Sequence, residues 1–197
     1  MKIFAIAAAL TLLSGASALA QTAPPPAQAT LGGPVVPGVC LLSQQAVLAN
    51  AKVGVAANVR LKQIGEDVQA ELRQEGAPID AEAKALQAQR ATLKPADFQQ
   101  RQRTLEGRIQ AIKAKADLRN REIEATREQA LRQILVDMQG PIADAYKAHG
   151  CGLLVDRNSV IGGNLANDLT AQVVQGLDAK ITTISFDRVS LPAQGKQ

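Results

Sequence analysis

The sequence is poor in large aromatic side chains, in histidine and in cysteine. Its 197 residues contain no tryptophan, one tyrosine, three phenylalanines, one histidine and two cysteines. Aromatic side chains supply much of the buried area of an ordinary core, so their scarcity favours an elongated helical protein over a compact one. A single histidine without clustered carboxylates also lacks the partners of a metal or catalytic site. The composition therefore predicts a protein that is not an enzyme and holds no cofactor.

Long apolar runs are absent beyond the first twenty residues. That initial segment has one basic residue, Lys2, an apolar stretch over 3–13 and small residues ending in ALA at 18–20. This order is typical of a cleavable signal peptide, and the apolar stretch is short for a membrane anchor, which is the alternative. We expect residues 1–20 to be removed and the mature, exported protein to begin at Gln21.

Residues 21–38, QTAPPPAQATLGGPVVPG, are rich in proline and glycine, which predicts a flexible leader. Without Lys2 the chain keeps 21 of its 22 basic side chains against 18 acidic ones, so the net charge falls from +4 to +3. An exported basic protein does not meet nucleic acid, and an acidic polypeptide or an anionic lipid surface is the better candidate partner.

Residues 49–149 have the composition and periodicity of a helical hairpin. Alanine, leucine, glutamine, glutamate, lysine and arginine dominate, and apolar residues recur at steps of three and four, as in a coiled-coil stripe. Two segments interrupt the pattern: EGAPID at 75–80, where we expect a kink or a short loop, and TLKPAD at 92–97, where Pro95 can begin a new helix. Either segment could be the tip.

Charge favours the tip at 92–97. With that tip, residues whose numbers sum to about 188 lie side by side, and Glu71 faces Lys115 while Glu82 faces Arg108. Net charge near the tip is +3, from five cations against Asp97 and Glu106. The five cations, which we predict to contact a client or a membrane, are Lys84, Arg90, Lys94, Arg101 and Arg103.

Apolar runs flank the hairpin and predict a small β-rich body formed by residues 39–48 and 150–191, with a tail at 192–197. The predicted strands are residues 39–43, 151–156, 159–162 and 182–189, and Asp168 can cap a short helix after the third. A body of about sixty residues is marginal alone, so we expect it to oligomerise. The strand residues predicted to form the oligomer are Val39, Leu41, Leu42, Leu153, Leu154, Val155, Val160 and Ile161.

The two cysteines bracket the hairpin. Cys40 precedes the outgoing helix and Cys151 follows the returning one, in a protein expected to reach an oxidising compartment. A bridge between them would pin both limbs at the base, whereas two unpaired thiols are the alternative. C-x-x-C is absent, which argues against a redox enzyme.

Four motifs together resemble the OmpH/Skp family of periplasmic chaperones: VCLLSQQAVL at 39–48, the charged hairpin, GCGLLVDRNSVIGG at 150–163 and NDLTAQVVQGLDAK at 167–180. The resemblance implies an α+β fold, in which a β-rich trimerisation body carries a long antiparallel coiled-coil hairpin. It further implies a periplasmic homotrimer that holds unfolded outer-membrane proteins between its hairpins without ATP. Two departures are Leu41-Leu42-Ser43, where the family has an aspartate after its first strand, and the break at Gly76 to Pro78.

Two other functions are compatible with parts of the sequence. A structural or adaptor coiled coil of the cell envelope would have a similar hairpin. An exported enzyme would need a reactive group, and the candidates are His149 and the DRN segment at 156–158. His149 lies where a helix C-terminus is expected and DRN lies where a turn is expected, so both are interpreted as structural.

Overall fold

A computed structural model describes residues 31–192 of the chain. Its elements are β1 (Val39–Leu42), α1 (Gln44–Asn50), α2 (Lys52–Ala88), α3 (Pro95–Ala148), β2 (Leu153–Asp156), a 3-10 turn (Arg157–Ser159) and α4 (Thr170–Lys180). The expected signal peptide, residues 21–30 of the leader and residues 193–197 of the tail lie outside the described residues. The α+β architecture is confirmed: helices α2 and α3 form a long hairpin, which we call the stalk, beside a small body.

The two strands of the body run parallel, and the whole stalk forms the connection between them. Val39 is paired with Leu153 and Leu42 with Asp156. On its other edge β1 also bonds the chain before α4: the N–H of Leu41 donates to the carbonyl of Asn167 (3.0 Å), and that of Leu169 donates to the carbonyl of Leu41 (2.9 Å). Strand β1 is therefore central and largely buried, whereas β2 lies at the edge.

The main core lies where the base of the stalk meets β1 and α4. Helix α4 places Leu169, Val173 and Leu177 in it at helical spacing, which explains why this short segment is helical. The fully buried side chains contributed by α1, α2 and α3 are Val47, Val53, Ile134 and Met138. A second, smaller core near the far end of the stalk consists of Ile79, Leu86 and Leu105.

Two of the four predicted strands do not form within the described residues. After β2 the chain enters the 3-10 turn, where the Asp156 carboxylate accepts the N–H of Asn158 (3.0 Å), and Ile161 is fully exposed. Residues 182–189 are neither helix nor strand. They belong to a longer segment, residues 181–192, which lies against the stalk; we call it the C-terminal strap. The prediction was wrong here because alternating apolar residues also suit an extended segment packed on helices.

The loop that was one of the two expectations for 75–80 does not form, because α2 continues through Pro78. Proline removes one backbone hydrogen bond and strains the turn before it. Contacts with α3 lie on both sides of Pro78: Glu75 pairs with Lys115 and Glu82 pairs with Arg108. The chain instead breaks near the base, at Ala51, an extended residue between α1 and α2.

Candidate functional site

The base of the stalk is closed by a disulfide. Cys40 in β1 and Cys151, just after α3, are bonded, with a Cα–Cα distance of 5.8 Å. The bond joins positions 111 residues apart. It ties the chain before the outgoing helix to the chain after the returning one, so the predicted bridge is confirmed.

Polar contacts position the outgoing helices on the body. Ser43 caps α1 by accepting the N–H of Ala46 (3.1 Å), and its own N–H donates to the Thr170 hydroxyl of α4 (3.0 Å). Asp178 of α4 accepts the first N–H of α2, from Lys52 (2.7 Å). A side chain from a distant element therefore satisfies a donor at the start of α2, where the extended Ala51 offers no side-chain cap.

Interhelical ion pairs fix the antiparallel register of the stalk. Lys115 pairs with Glu71 (2.7 Å), and Arg108 pairs with Glu82, the two combinations named from sequence. Lys115 also pairs with Glu75. Arg60 pairs with Asp187 of the strap, and Lys62 pairs with Glu66 within α2. The numbers of the residues paired between α2 and α3 sum to 186–190, close to the expected 188.

A buried carboxylate lies at the centre of a charged network halfway along the stalk. Glu122 is fully buried, and its carboxylate pairs with Arg119 (2.8 Å) and with Arg188 of the strap (3.2 Å). Arg119 also forms a two-pronged contact with Glu71 (2.8 and 3.2 Å). Each buried charge is therefore paired with charges of opposite sign, which burial requires.

The same network shifts the pKa of its members. Hydrogen bonds from Arg119 first and Lys115 second lower the pKa of Glu71 to about 2. The Glu71 carboxylate in turn raises the pKa of Arg119 above its usual value, and hydrogen bonds to Glu71 and Glu75 raise that of Lys115. All three groups are therefore charged throughout the physiological pH range.

Six of the predicted body residues lie in the two strands, as expected for β1 and β2, with Leu41 and Leu42 buried and Leu153 half exposed. Val39, Leu154 and Val155 complete the strand residues. Val160 and Ile161 lie outside the strands, after the 3-10 turn. Beyond β2, no further strand pairs with its free edge among the described residues. One edge of the sheet thus carries unpaired peptide groups beside the exposed side chains of Leu153 and Ile161.

The end of the stalk brings together the five cations named from sequence. Helices α2 and α3 are joined at residues 89–94, and the surrounding small core includes half-buried Leu93 and Phe98. Arg90 lies over the Phe98 ring (6.0 Å to its centroid), and Arg101 donates to the Gln89 side chain (3.1 Å). All five cations are exposed: Lys84, Arg90, Lys94, Arg101 and Arg103. None of them forms an ion pair with another residue of the 31–192 range.

The residues considered for chemistry have structural contacts. His149 is the C-cap of α3. Arg157 of the DRN segment pairs with Asp168 (2.8 Å), and Asn158 donates to the Ser43 hydroxyl (3.4 Å). In the described part of the chain, no group of three or more potential ligands is arranged to hold a metal ion. The helices of that part include none with the length and apolar composition to cross a bilayer.

The strap contacts are the feature of the stalk that sequence reasoning missed. In the sequence, nothing distinguishes Arg60, Glu122 and Thr126 from other stalk residues. In the structure, each forms a hydrogen bond with the backbone of the strap. A signal existed in the alternating residues of ISFDRV at 184–189, but it predicted a strand of the body. Nothing local in the stalk sequence indicated that a third segment packs on the hairpin.

The comparisons with known proteins agree with this architecture. The family model for outer membrane proteins of the OmpH-like kind matches residues 38–177. The crystal structure of a candidate outer membrane chaperone (OmpH-like) from Caulobacter crescentus CB15 resembles this one with a TM-score of 0.75. The two proteins are 40% identical, over 82% of this chain and 96% of the other. No curated protein sequence matches. The chain belongs to the OmpH-like family of outer membrane proteins, which the motifs on either side of the stalk predicted.

Proposed function

We propose that this protein is a periplasmic holdase chaperone that works without ATP. It binds unfolded outer-membrane proteins in a cavity between the stalks of a homotrimer and prevents their aggregation. The observation that carries the proposal is the stalk itself: a pair of helices about 55 and 80 Å long, attached to a small body, in a member of the OmpH-like family.

The exposed edge of the body supports self-association. Within residues 31–192 strand β2 has a free edge, and Leu153 and Ile161 beside it are 56% and 103% exposed. Unpaired edges bind other strands readily, and exposed apolar side chains mark interaction surfaces. A second and a third copy of the body would cover the edge of β2 and these two side chains, and the three stalks would then enclose a space.

The surface of the stalk supports weak binding of many different chains. Exposed apolar side chains occur near its base, at Val55, Val59 and Leu131, among charged and small residues. Contacts of this kind are individually weak, but many of them act together on one long client. Release then requires no nucleotide.

The expected export route agrees with this role. Residues 1–20 have the order of a cleavable signal peptide, and the Cys40–Cys151 disulfide suits the oxidising periplasm. The five exposed cations at the end of the stalk provide a second contact, for acidic client segments or for anionic lipid.

Dilution of a urea-unfolded outer-membrane barrel protein into buffer with the purified mature chain tests the proposal. We expect light scattering by the barrel to be suppressed at physiological salt without ATP, at a ratio of about three chains per client. Unchanged scattering, or capture of one folded envelope protein and no unfolded barrel, would instead favour the adaptor function.

Native mass measurement tests the assembly separately. We expect three times the chain mass, and we expect Leu153→Lys combined with Ile161→Lys to yield single chains that no longer suppress scattering. Val136→Lys is the matched control, since Val136 is an exposed (71%) apolar residue of α3. A trimer that survives the double substitution would show that the β2 edge is not the interface.

A further inference from the structure

The C-terminal strap lies on the stalk as an extended peptide, outside the part of the chain that matches the family. The family match ends at residue 177, whereas the strap comprises residues 181–192. It follows α4 and passes from the main core toward the Glu122 network. The strap has its own binding surface on α2 and α3, which we call the strap groove.

Three of the contacts between the groove and the strap are made to the main chain of the strap. The carbonyl of Phe186 accepts from the Arg60 Nε (3.2 Å), the N–H of Val189 donates to the Thr126 hydroxyl (2.9 Å), and the N–H of Leu191 donates to the Glu122 carboxylate (3.2 Å). These groups belong to every peptide. Side chains of the stalk thus replace the neighbouring strand that an extended segment would otherwise need.

The spacing of these contacts fits any extended chain. Thr126 and Glu122 are one helical turn apart, about 6 Å along the axis of α3. Val189 and Leu191, which they bind, are two residues apart in an extended segment, about 6.6 Å. Alternate peptide groups of an extended chain therefore meet successive turns of α3 in register.

The side chains of the strap that face the stalk also alternate. Ile184 and Phe186 are buried in the main core, whereas Ser185 and Asp187 between and after them are exposed. Alternation of apolar and polar residues is the pattern of transmembrane barrel strands, the segments that an unfolded outer-membrane protein presents. The strap thus has the same chemistry as the proposed clients.

We propose that the strap groove is a binding site for extended segments with alternating apolar residues, and that the strap is an internal occupant which a barrel strand of the client displaces. This inference rests on the proposed chaperone function and names one site for it. Displacement requires the strap to leave without unfolding the body. Ile184 and Phe186 then leave the main core, and the apolar side chains of the incoming strand take their places. The polar contacts are partly exposed and are replaced by the same contacts with the incoming chain.

Hydrogen exchange of the full mature chain tests the displacement. The probe is a synthetic peptide with the sequence of residues 182–191, TTISFDRVSL, and the control is the same peptide with Ile184→Ser and Phe186→Ser. We expect the probe to raise deuterium uptake in residues 181–192 of the protein severalfold, and the serine peptide to leave it unchanged. Unchanged uptake at a saturating concentration of the probe would overturn the inference.

The second measurement is the affinity of the probe for variants whose strap is held less tightly. Arg188→Gln removes the pairs with Glu71 and Glu122, so the groove is empty more often and the probe should bind about tenfold more tightly. Arg132→Gln, which affects only an exposed pair with Glu128, is the matched control. Should Arg188→Gln lower the melting temperature, Asp187→Asn loosens the strap by removing only its pair with Arg60, with an expected gain of about twofold. Equal affinities in all variants would contradict the proposal.

Parallel scattering measurements separate this inference from the proposed function. If barrel aggregation is suppressed while the strap stays protected from exchange, the chaperone function stands and the strap inference fails. If the probe displaces the strap but no unfolded barrel is protected, the groove stands as a peptide site and the proposed function fails.

Discussion

Adding a single methyl group at Gly54 should strongly lower the stability of the protein. A Cβ atom added there would lie 1.8 Å from the carbonyl oxygen of Leu48, because the chain reverses sharply at Ala51 and brings α1 against α2. Backbone atoms cannot move aside without shifting one helix on the other. The close approach of two helices therefore depends on the absence of one side chain.

We predict that Gly54→Ala lowers the free energy of unfolding by about 1–3 kcal/mol or more, the cost of overpacking a core, measured by urea denaturation. Gly65→Ala is the control in the same helix, since nothing lies within 4 Å of its added Cβ. For Gly65→Ala we expect the free energy of unfolding to rise by about 0.5–1 kcal/mol, because alanine has the higher helix propensity. Equal effects at both positions would show that the α1–α2 contact is not tight.

Glu71 should make stability depend on pH in the acid range. Its pKa is about 2 in the folded protein against a usual value of 4.5, because of the hydrogen bonds from Arg119 and Lys115. A lowered folded pKa means that the ionised group stabilises the fold above about pH 4.5, and that this contribution is lost as the pH falls through about 2. Arg188 of the strap faces the same carboxylate, at 3.4 Å.

We therefore predict that Glu71→Gln lowers the melting temperature at neutral pH, and that the difference from the unaltered protein shrinks between about pH 4.5 and pH 2. Glu66→Gln, at an exposed pair with Lys62 within α2, should change little at any pH. If the difference in melting temperature between Glu71→Gln and the unaltered protein stays constant down to about pH 2, the network does not hold the carboxylate ionised.

At the level of secondary-structure elements, the local rules for proline and the observed helices do not always agree. Pro78 should end a helix by the usual rule, yet α2 continues for ten more residues to Ala88, with contacts to α3 on both sides of the proline. Pro95, by contrast, lies at the first position of α3, where its missing N–H costs nothing. Two prolines in one hairpin thus have opposite consequences.

We predict that Pro78→Ala raises the free energy of unfolding by about 1–3 kcal/mol, since proline inside a helix costs about 3 kcal/mol and contacts with α3 offset part of the strain. Pro95→Ala should be neutral or slightly destabilising. Thermal unfolding of the two variants measures the difference. A destabilising Pro78→Ala would indicate that the proline ring itself contributes packing to the stalk.

The charged end matters at the scale of the whole molecule, because the stalk carries it far from the body. We predict that Arg101→Glu with Arg103→Glu weakens binding to phosphatidylglycerol vesicles by at least about tenfold, since each basic residue near an anionic surface contributes about 1 kcal/mol. Binding is measured by sedimentation with the vesicles, and phosphatidylcholine vesicles show the background.

Arg132→Glu with Lys147→Glu is the control, because it changes the net charge equally at exposed positions closer to the body. Trimer mass should be the same in both double variants. If both lose binding equally, net charge and not the end of the stalk drives the association. A loss of assembly in the Arg101 and Arg103 variant would mean that this end contributes to the interface.

The sequence by itself determined the hairpin, its turn near Pro95 and the helix at 170–180. These follow from local information: helix propensity, three- and four-residue periodicity, and charges that must match between neighbouring limbs. The sequence left open whether Cys40 and Cys151 are bonded, and the structure brings them together. Only the tertiary structure decided that α2 passes through Pro78, that Gly54 meets Leu48, and that residues 181–192 lie on the stalk. The reason is physical: an alternating segment can satisfy its peptide groups with a strand or with the side chains of helices, and which partner is near depends on how the whole chain packs.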